Sequence, residues 1–237
     1  MSKLHIFGDS YSTPNYLVQP NESWWGLLAH DLDVTDIVNW SWWGSNLDNI
    51  AHTMFCYQDQ ILSNDYVVIA VPPLIRVTVF EPNTADELPV KPSVITYNST
   101  LSQTKSELIL SHSGLIGKSV TDMGKSYVQG WNPGYAEAVA IRTIGLLLGN
   151  FNVKIIVVNA SMPFQEPTMW PTLGMAQAQL QNDSRVDLQN TYYSVNLNKY
   201  IPVDYDKWGW NGHHGPDGNL EFYTQVVKPI AQGQQWL

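Results

Sequence analysis

Ser10 follows a Gly8-Asp9 pair that ends the short apolar run Leu4-His5-Ile6-Phe7, and two adjacent histidines, His213 and His214, stand near the other end of the sequence. A hydroxyl is a weak nucleophile at neutral pH and needs a base within hydrogen-bond reach, most often an imidazole. Gly44-Ser45-Asn46 opens a further apolar-periodic segment, where backbone N–H groups at a helix start meet charge developing on an attacked carbonyl oxygen. Nucleophilic acyl transfer is the chemistry these parts would do, with Ser10 attacking and either histidine taking its proton. Each part also has a plainer reading. Ser10 reads alternatively as a turn serine, Asp9 as a hydrogen-bond acceptor supporting the loop, and the histidine pair as turn residues. Two adjacent histidines alone are too few ligands for a metal. His5, His30, His52 and His112 have no motif around them and read as structural or surface residues.

Positioning Ser10 and a histidine so far apart in sequence at one place requires a sheet that gathers chain ends along one edge. Leu4 to Phe7 reads as a buried strand, and Trp24, Leu27, Leu28 and Leu32 recur at helical spacing with Asn21 as the N-cap. Val34 to Trp40 reads as a second strand. Ser45 and Asp48 form a capping box for a helix carrying Leu47, Ile50, Ala51, Met54 and Ile61, with Cys56 as a small buried apolar residue within it. Asp65 to Val71 and Lys154 to Asn159 are continuous β-branched runs, as parallel strands buried on both faces require. Tyr135 to Leu148, and Leu220, Tyr223, Val227 and Ile230, have helical spacing. Between them, about 81–133 reads as an irregular insertion in which Glu81, Asp86 and Glu87 are a solvated face, and about 165–198 is again polar and irregular. Alternation of strand and helix predicts a doubly wound α/β domain spanning 1–237, and in such sheets ligands bind at the carboxyl ends of the strands, where Gly8-Asp9-Ser10 lies.

The composition narrows the partners. Twelve Lys and Arg against 21 Asp and Glu give a net charge of −9, which disfavours nucleic acid and anionic membrane surfaces. A single cysteine excludes an intramolecular disulfide framework and a Cys-rich zinc site. The apolar run at the N-terminus is too short for a signal-peptide core, and no stretch reaches the roughly 18 apolar residues of a membrane span, so a cytoplasmic or virion-associated protein is expected. Ten Trp residues accompany this low charge: Trp40, Trp42 and Trp43 precede Gly44, and Trp208 and Trp210 precede His213. Two readings stay open for them, a sugar-stacking platform beside the crevice and ordinary core beneath the sheet edge.

Phe7-Gly8-Asp9-Ser10 resembles the first block of the SGNH/GDSL hydrolases, and Glu22 to Ala29 resembles the helix that follows it. Gly44-Ser45-Asn46 is similar to the family's oxyanion-glycine block, Asp65 to Val71 to its third strand, and His213-His214-Gly215-Pro216-Asp217-Gly218-Asn219 to its histidine block. Counting five back from Gly218, the resemblance implies His213 as base, with His214 as the alternate. Two positions depart from the family: Leu74 stands where it has an oxyanion Asn, and Asn211 where it has the acid that orients the imidazole. Arg76 after a strand-ending proline resembles phage-encoded members.

The resemblance implies a three-layer α/β/α sandwich of flavodoxin-like type with a short parallel sheet of about five strands. It implies a serine esterase working through Ser10 and His213 with Asn211 orienting the ring. Ser10 and Gly44 N–H groups and Asn46 would serve as oxyanion donors, Asp9 as loop support, and Trp43, Arg76 and Trp210 as substrate-lining residues. No cofactor or metal is required. The expected substrate is a small-molecule or glycan ester, such as an O-acetyl group on a carbohydrate, with virion or homo-oligomeric partners. The rivals are an inactive carbohydrate-binding or structural module on the same scaffold, and a lipase-like esterase.

Overall fold

A computed structural model of the protein describes residues 2–13, 18–42, 45–72, 76–79, 93–97, 108–111, 133–160, 180, 182–191 and 215–237. In chain order the strands are β1 (Leu4–Phe7), β2 (Ile37–Asn39), β3 (Tyr66–Val71), β4 (Arg76–Val79), β5 (Ser93–Tyr97), β6 (Leu108–Ser111), β7 (Lys154–Asn159) and β8 (Val186–Thr191). The α-helices are α1 (Trp24–Asp31), α2 (Leu47–Cys56), α3 (Pro133–Asn150), α4 (Pro216–Phe222) and α5 (Lys228–Gly233), the last two joined by a π turn over Tyr223–Val227. Among the described residues the strands form two sheets, a five-stranded one in the order β2-β1-β3-β7-β8 and a three-stranded one in the order β4-β5-β6.

Every neighbour pair in the five-stranded sheet is parallel. Such a sheet must be covered on both sides, and the alternation of β3 shows how. Val67, Ile69 and Val71 point into one apolar layer with Leu47, Ile50 and Met54 of α2 and Ile141, Ile144 and Leu147 of α3. Val68 and Ala70 point into the other, with Trp24 and Leu28 of α1 and Phe222 and Val226 of the C-terminal helix. The result is the expected three-layer α/β/α arrangement with a short parallel sheet. Strand order reverses beside β1, with β2 on one side and β3, β7 and β8 on the other, so the switch point where ligands bind in doubly wound folds lies at the carboxyl ends of β1 and β3. Among the described residues no helix is long and apolar enough to cross a membrane.

Several local expectations change. The first helix is capped by Ser23, whose Oγ accepts from Gly26 N–H at 3.1 Å, while Asn21 sits in a 3₁₀ turn over Pro20–Glu22. Asn46 rather than Ser45 caps α2: its backbone is extended and its Oδ1 accepts from Asn49 N–H at 2.8 Å, leaving Ser45 Oγ to accept from Asn49 Nδ2. That helix ends at Cys56, before a 3₁₀ turn over Gln58–Gln60. Cys56 is exposed, because it lies two residues beyond Met54 and so off the apolar stripe of Leu47, Ile50 and Met54. The second strand starts only at Ile37, since Asp33 at φ 54° closes α1 with the paired bonds Asp33 N–H to His30 O and Val34 N–H to Ala29 O. β8 falls within the stretch read as irregular. The stretch read as an insertion holds β5 and β6, antiparallel neighbours of which β5 also pairs with β4 just ahead of it.

Candidate active site

Chain direction reverses at the end of β1 through a single hydrogen-bonded turn. Asp9 Oδ1 accepts from Tyr11 N–H at 3.1 Å, and Asp9 O accepts from Ser12 N–H at 2.9 Å, Thr13 N–H at 3.0 Å and Thr13 Oγ1 at 3.0 Å. A short polar side chain that satisfies the first N–H groups of a turn is the usual role of Asp there. Of the N–H groups on residues 10–13, that of Ser10 takes no part in these bonds. Asp9, Ser10 and Ser12 are all buried. Positive φ among the described non-glycine residues occurs only at Asp33 and Gln235, so Ser10 is presented without backbone strain.

Gly8 lets this turn lie flat on the sheet: a methyl group built on it would come within 2.8 Å of Ser12 Cβ and 3.1 Å of Ala70 Cβ. On its other side the turn is stitched to the exit of β2. Asn39 Nδ2 donates to Ser12 O at 2.7 Å, Trp42 N–H donates to Gly8 O at 3.3 Å, and Ser45 N–H donates to Trp42 O at 3.0 Å. The segment that leads to Asn46 and α2 is thereby fastened against the Ser10 turn. Asn46 is buried with its Oδ1 committed to the helix cap.

The tryptophans divide. Trp40 belongs to the core, stacked on Tyr57 with ring centres 4.2 Å apart and on Phe7 at 6.1 Å. Trp42, whose backbone holds Gly8, is 40% exposed. Arg76 heads β4 with Thr96 as its partner on β5. Trp43, Gly44, Trp210, Asn211, His213 and His214 lie outside the described residues. Gly215, directly after His214, opens α4.

A buried ionisable pair lies at the opposite edge of the sheet. His5 Nε2 stands 3.2 Å from Asp65 Oδ2, and Trp40 Nε1 donates to His5 Nδ1 at 3.1 Å. Because Nδ1 accepts, the ring is neutral with its proton on Nε2, donated to the carboxylate. Burial pushes the imidazole below its ordinary value, against the opposing pull of Asp65. Burial would raise Asp65, but the N–H groups of Leu62 and Lys3 and the His5 ring outweigh it and hold the carboxyl below its ordinary range. Both ring nitrogens are occupied and both side chains are fully enclosed, so this pair is structural.

Sequence places Trp24 only on the apolar face of the first helix and Asn219 only at the end of the histidine block; the structure ties both to the Ser10 turn. Trp24 Nε1 donates to Tyr11 O at 3.2 Å, and Asn219 Oδ1 accepts from Trp24 N–H at 3.1 Å. The available signal was Asn219 itself, a polar residue on the face of the last helix that also carries buried Phe222 and Val226.

No protein-family model and no curated protein matches the sequence. Solved structures similar to this chain include TesA, at 12% identity over 98% of this chain and 99% of that one, with a TM-score of 0.48. A member of the lipolytic protein G-D-S-L family from Veillonella parvula is similar at 10% identity over 96% and 97%, with a TM-score of 0.48. The psychrotrophic esterase EstA from Pseudoalteromonas is similar at 10% identity over 99% and 100%, with a TM-score of 0.49.

Proposed function

We propose that this protein is a serine ester hydrolase of SGNH/GDSL type. The observation that carries the reading is the Ser10 turn: a hydroxyl at the carboxyl end of β1, at the switch point of a parallel sheet, on a turn in whose bonds among the described residues the Ser10 N–H takes no part. Ser10 Oγ attacks the ester carbonyl and passes its proton to His213, with His214 as the alternate base and Asn211 orienting the ring. The carbonyl oxygen becomes an oxyanion held by the N–H groups of Ser10 and Gly44 and by Asn46 Nδ2. Protonated histidine then gives its proton to the departing alkoxide. Water repeats the sequence on the acyl-enzyme, releasing the acid and restoring Ser10. A neutral Asn211 orients the imidazole without stabilising its cation as a carboxylate would.

Trp42 supports an O-acyl carbohydrate as substrate. Its backbone N–H is held on Gly8 O, two residues before the nucleophile, and the residue is 40% exposed; an indole is the kind of surface on which a sugar ring stacks. Trp43, Arg76 and Trp210 are assigned to the same lining.

Hydrolysis of p-nitrophenyl acetate and labelling by a fluorophosphonate are expected in the wild type and absent in Ser10→Ala. Turnover that survives the change removes Ser10 from the mechanism, and a wild type that neither hydrolyses nor labels is the inactive module. Trp42→Ala is expected to raise KM for an O-acetylated oligosaccharide while leaving p-nitrophenyl acetate unaffected.

A further inference from the structure

We infer that Asn219 and Trp24 are positioning residues for the proposed hydrolysis, a bridge that ties the start of α4, which the histidine pair precedes in sequence, to the nucleophile turn. The inference rests on the hydrolase reading above.

The bridge is continuous. Asn219 Nδ2 and Asn219 N–H both donate to Gly215 O at 3.1 Å, and Asn219 Oδ1 accepts from Trp24 N–H at 3.1 Å. Trp24 then donates through its indole Nε1 to Tyr11 O at 3.2 Å. One end of this path is the residue after Ser10, and the other is the residue after His214. Consecutive Cα atoms are about 3.8 Å apart, so fixing Gly215 restricts where the two preceding imidazoles can reach.

Two features mark the bridge as more than packing. Gly215 is the N-cap of α4, and its carbonyl takes a second, side-chain donor from Asn219 beside the ordinary helical one, so both of its acceptor sites are filled from one residue. Trp24 N–H is one of the unpaired donors at the start of α1, and its acceptor comes from a different helix at the far end of the chain rather than from water or a local cap. Contact between the two helices is already provided by the edge-on packing of Trp24 against Phe222, with ring centres 5.9 Å apart. An apolar side chain at 219 would fill the same space; what only an amide supplies is an acceptor and a donor facing opposite ways.

Asn219→Asp tests this directly, because at neutral pH it keeps the acceptor for Trp24 N–H and removes the donor to Gly215. Trp24→Phe cuts the other link, deleting the indole donor to Tyr11 while retaining aromatic bulk. Each variant is assayed with p-nitrophenyl acetate, with rates expressed per active site titrated by fluorophosphonate, so that a smaller folded fraction does not count as slower chemistry. The expected result is a kcat lowered roughly 10- to 100-fold with KM within about twofold, the pattern of a group that acts only in the transition state. Wild-type kcat per titrated site in either folded variant overturns the proposal while leaving Ser10-dependent hydrolysis intact. A wild type without Ser10-dependent turnover overturns the hydrolase reading and this inference with it.

Discussion

Replacing Gly8 with Ala tests how closely the Ser10 turn is pressed onto the sheet. The added methyl would stand 2.5 Å from Ser12 Oγ, 2.8 Å from Ser12 Cβ and 3.1 Å from Ala70 Cβ. Comfortable carbon–carbon contact begins at about 3.5 Å, so Ser12 would have to retreat by about 0.7 Å. Neither Ser12 nor Ala70 has any exposed surface through which to yield. Overpacking of this kind costs about 1–3 kcal/mol. Alanine stiffens the unfolded chain and returns about 0.4–1 kcal/mol, because Gly8 does not occupy the left-handed region. The net expectation is a loss of about 1–2 kcal/mol, read as a urea midpoint lowered by about 0.5–1 M at an unchanged slope. Retreat of Ser12 also drags Ser10, so the ester-hydrolysis rate should fall further than the folded fraction does. Ser12→Gly is the partner change, since Ser12 Oγ finds no hydrogen-bond partner among the described residues and both short contacts vanish with the side chain. The double variant should recover most of the loss, a coupling of about 1 kcal/mol or more. Additive effects, or a Gly8→Ala midpoint equal to wild type, would refute the close approach.

The His5–Asp65 pair gives a stability that depends on pH. With His5 held neutral below its ordinary value near 6.5, the unfolded chain binds a proton that the folded chain refuses. Stability is therefore complete above about pH 6.5 and declines as the pH falls below it; urea melts between pH 7.5 and 5.5 should show this, and His5→Gln should flatten the decline. Asn46→Ala removes the cap of α2 and is expected to cost about 1 kcal/mol of stability by the same melts, a loss that Asn46→Ser should largely restore.

The core strands were legible because burial on both faces imposes its own alphabet. Val67 to Val71 and Ile155 to Val158 are apolar without interruption, and both lie in the middle of the sheet. β8 lies at the edge, where Val186 and Leu188 supply one apolar face and Asp187 and Asn190 disguise the rest. Cap positions slipped by one or two residues because Ser23 and Asn21, or Ser45 and Asn46, are equally competent acceptors, and backbone direction chooses between them. The Ser10 turn could be read from Gly8-Asp9-Ser10, since a strand end, a tight exit and a short acceptor are all local properties. The partner of Asn219 could not, because a bond across 195 residues leaves no local pattern.

That separation also orders events during folding. Closing a loop of such length costs roughly 5 kcal/mol of chain entropy, which the helices must recover through contacts made only once both are present. At translation rates of about 5–20 residues per second, the N-terminal helix waits roughly 10–40 s for its partner. Throughout that interval Trp24 and Leu28, fully buried in the finished protein, have no C-terminal helix to cover them. Until the last helix docks, the early chain therefore exposes apolar surface on the helix that follows the serine turn. An uncorrected activity of this site therefore also counts how much of the chain has completed folding.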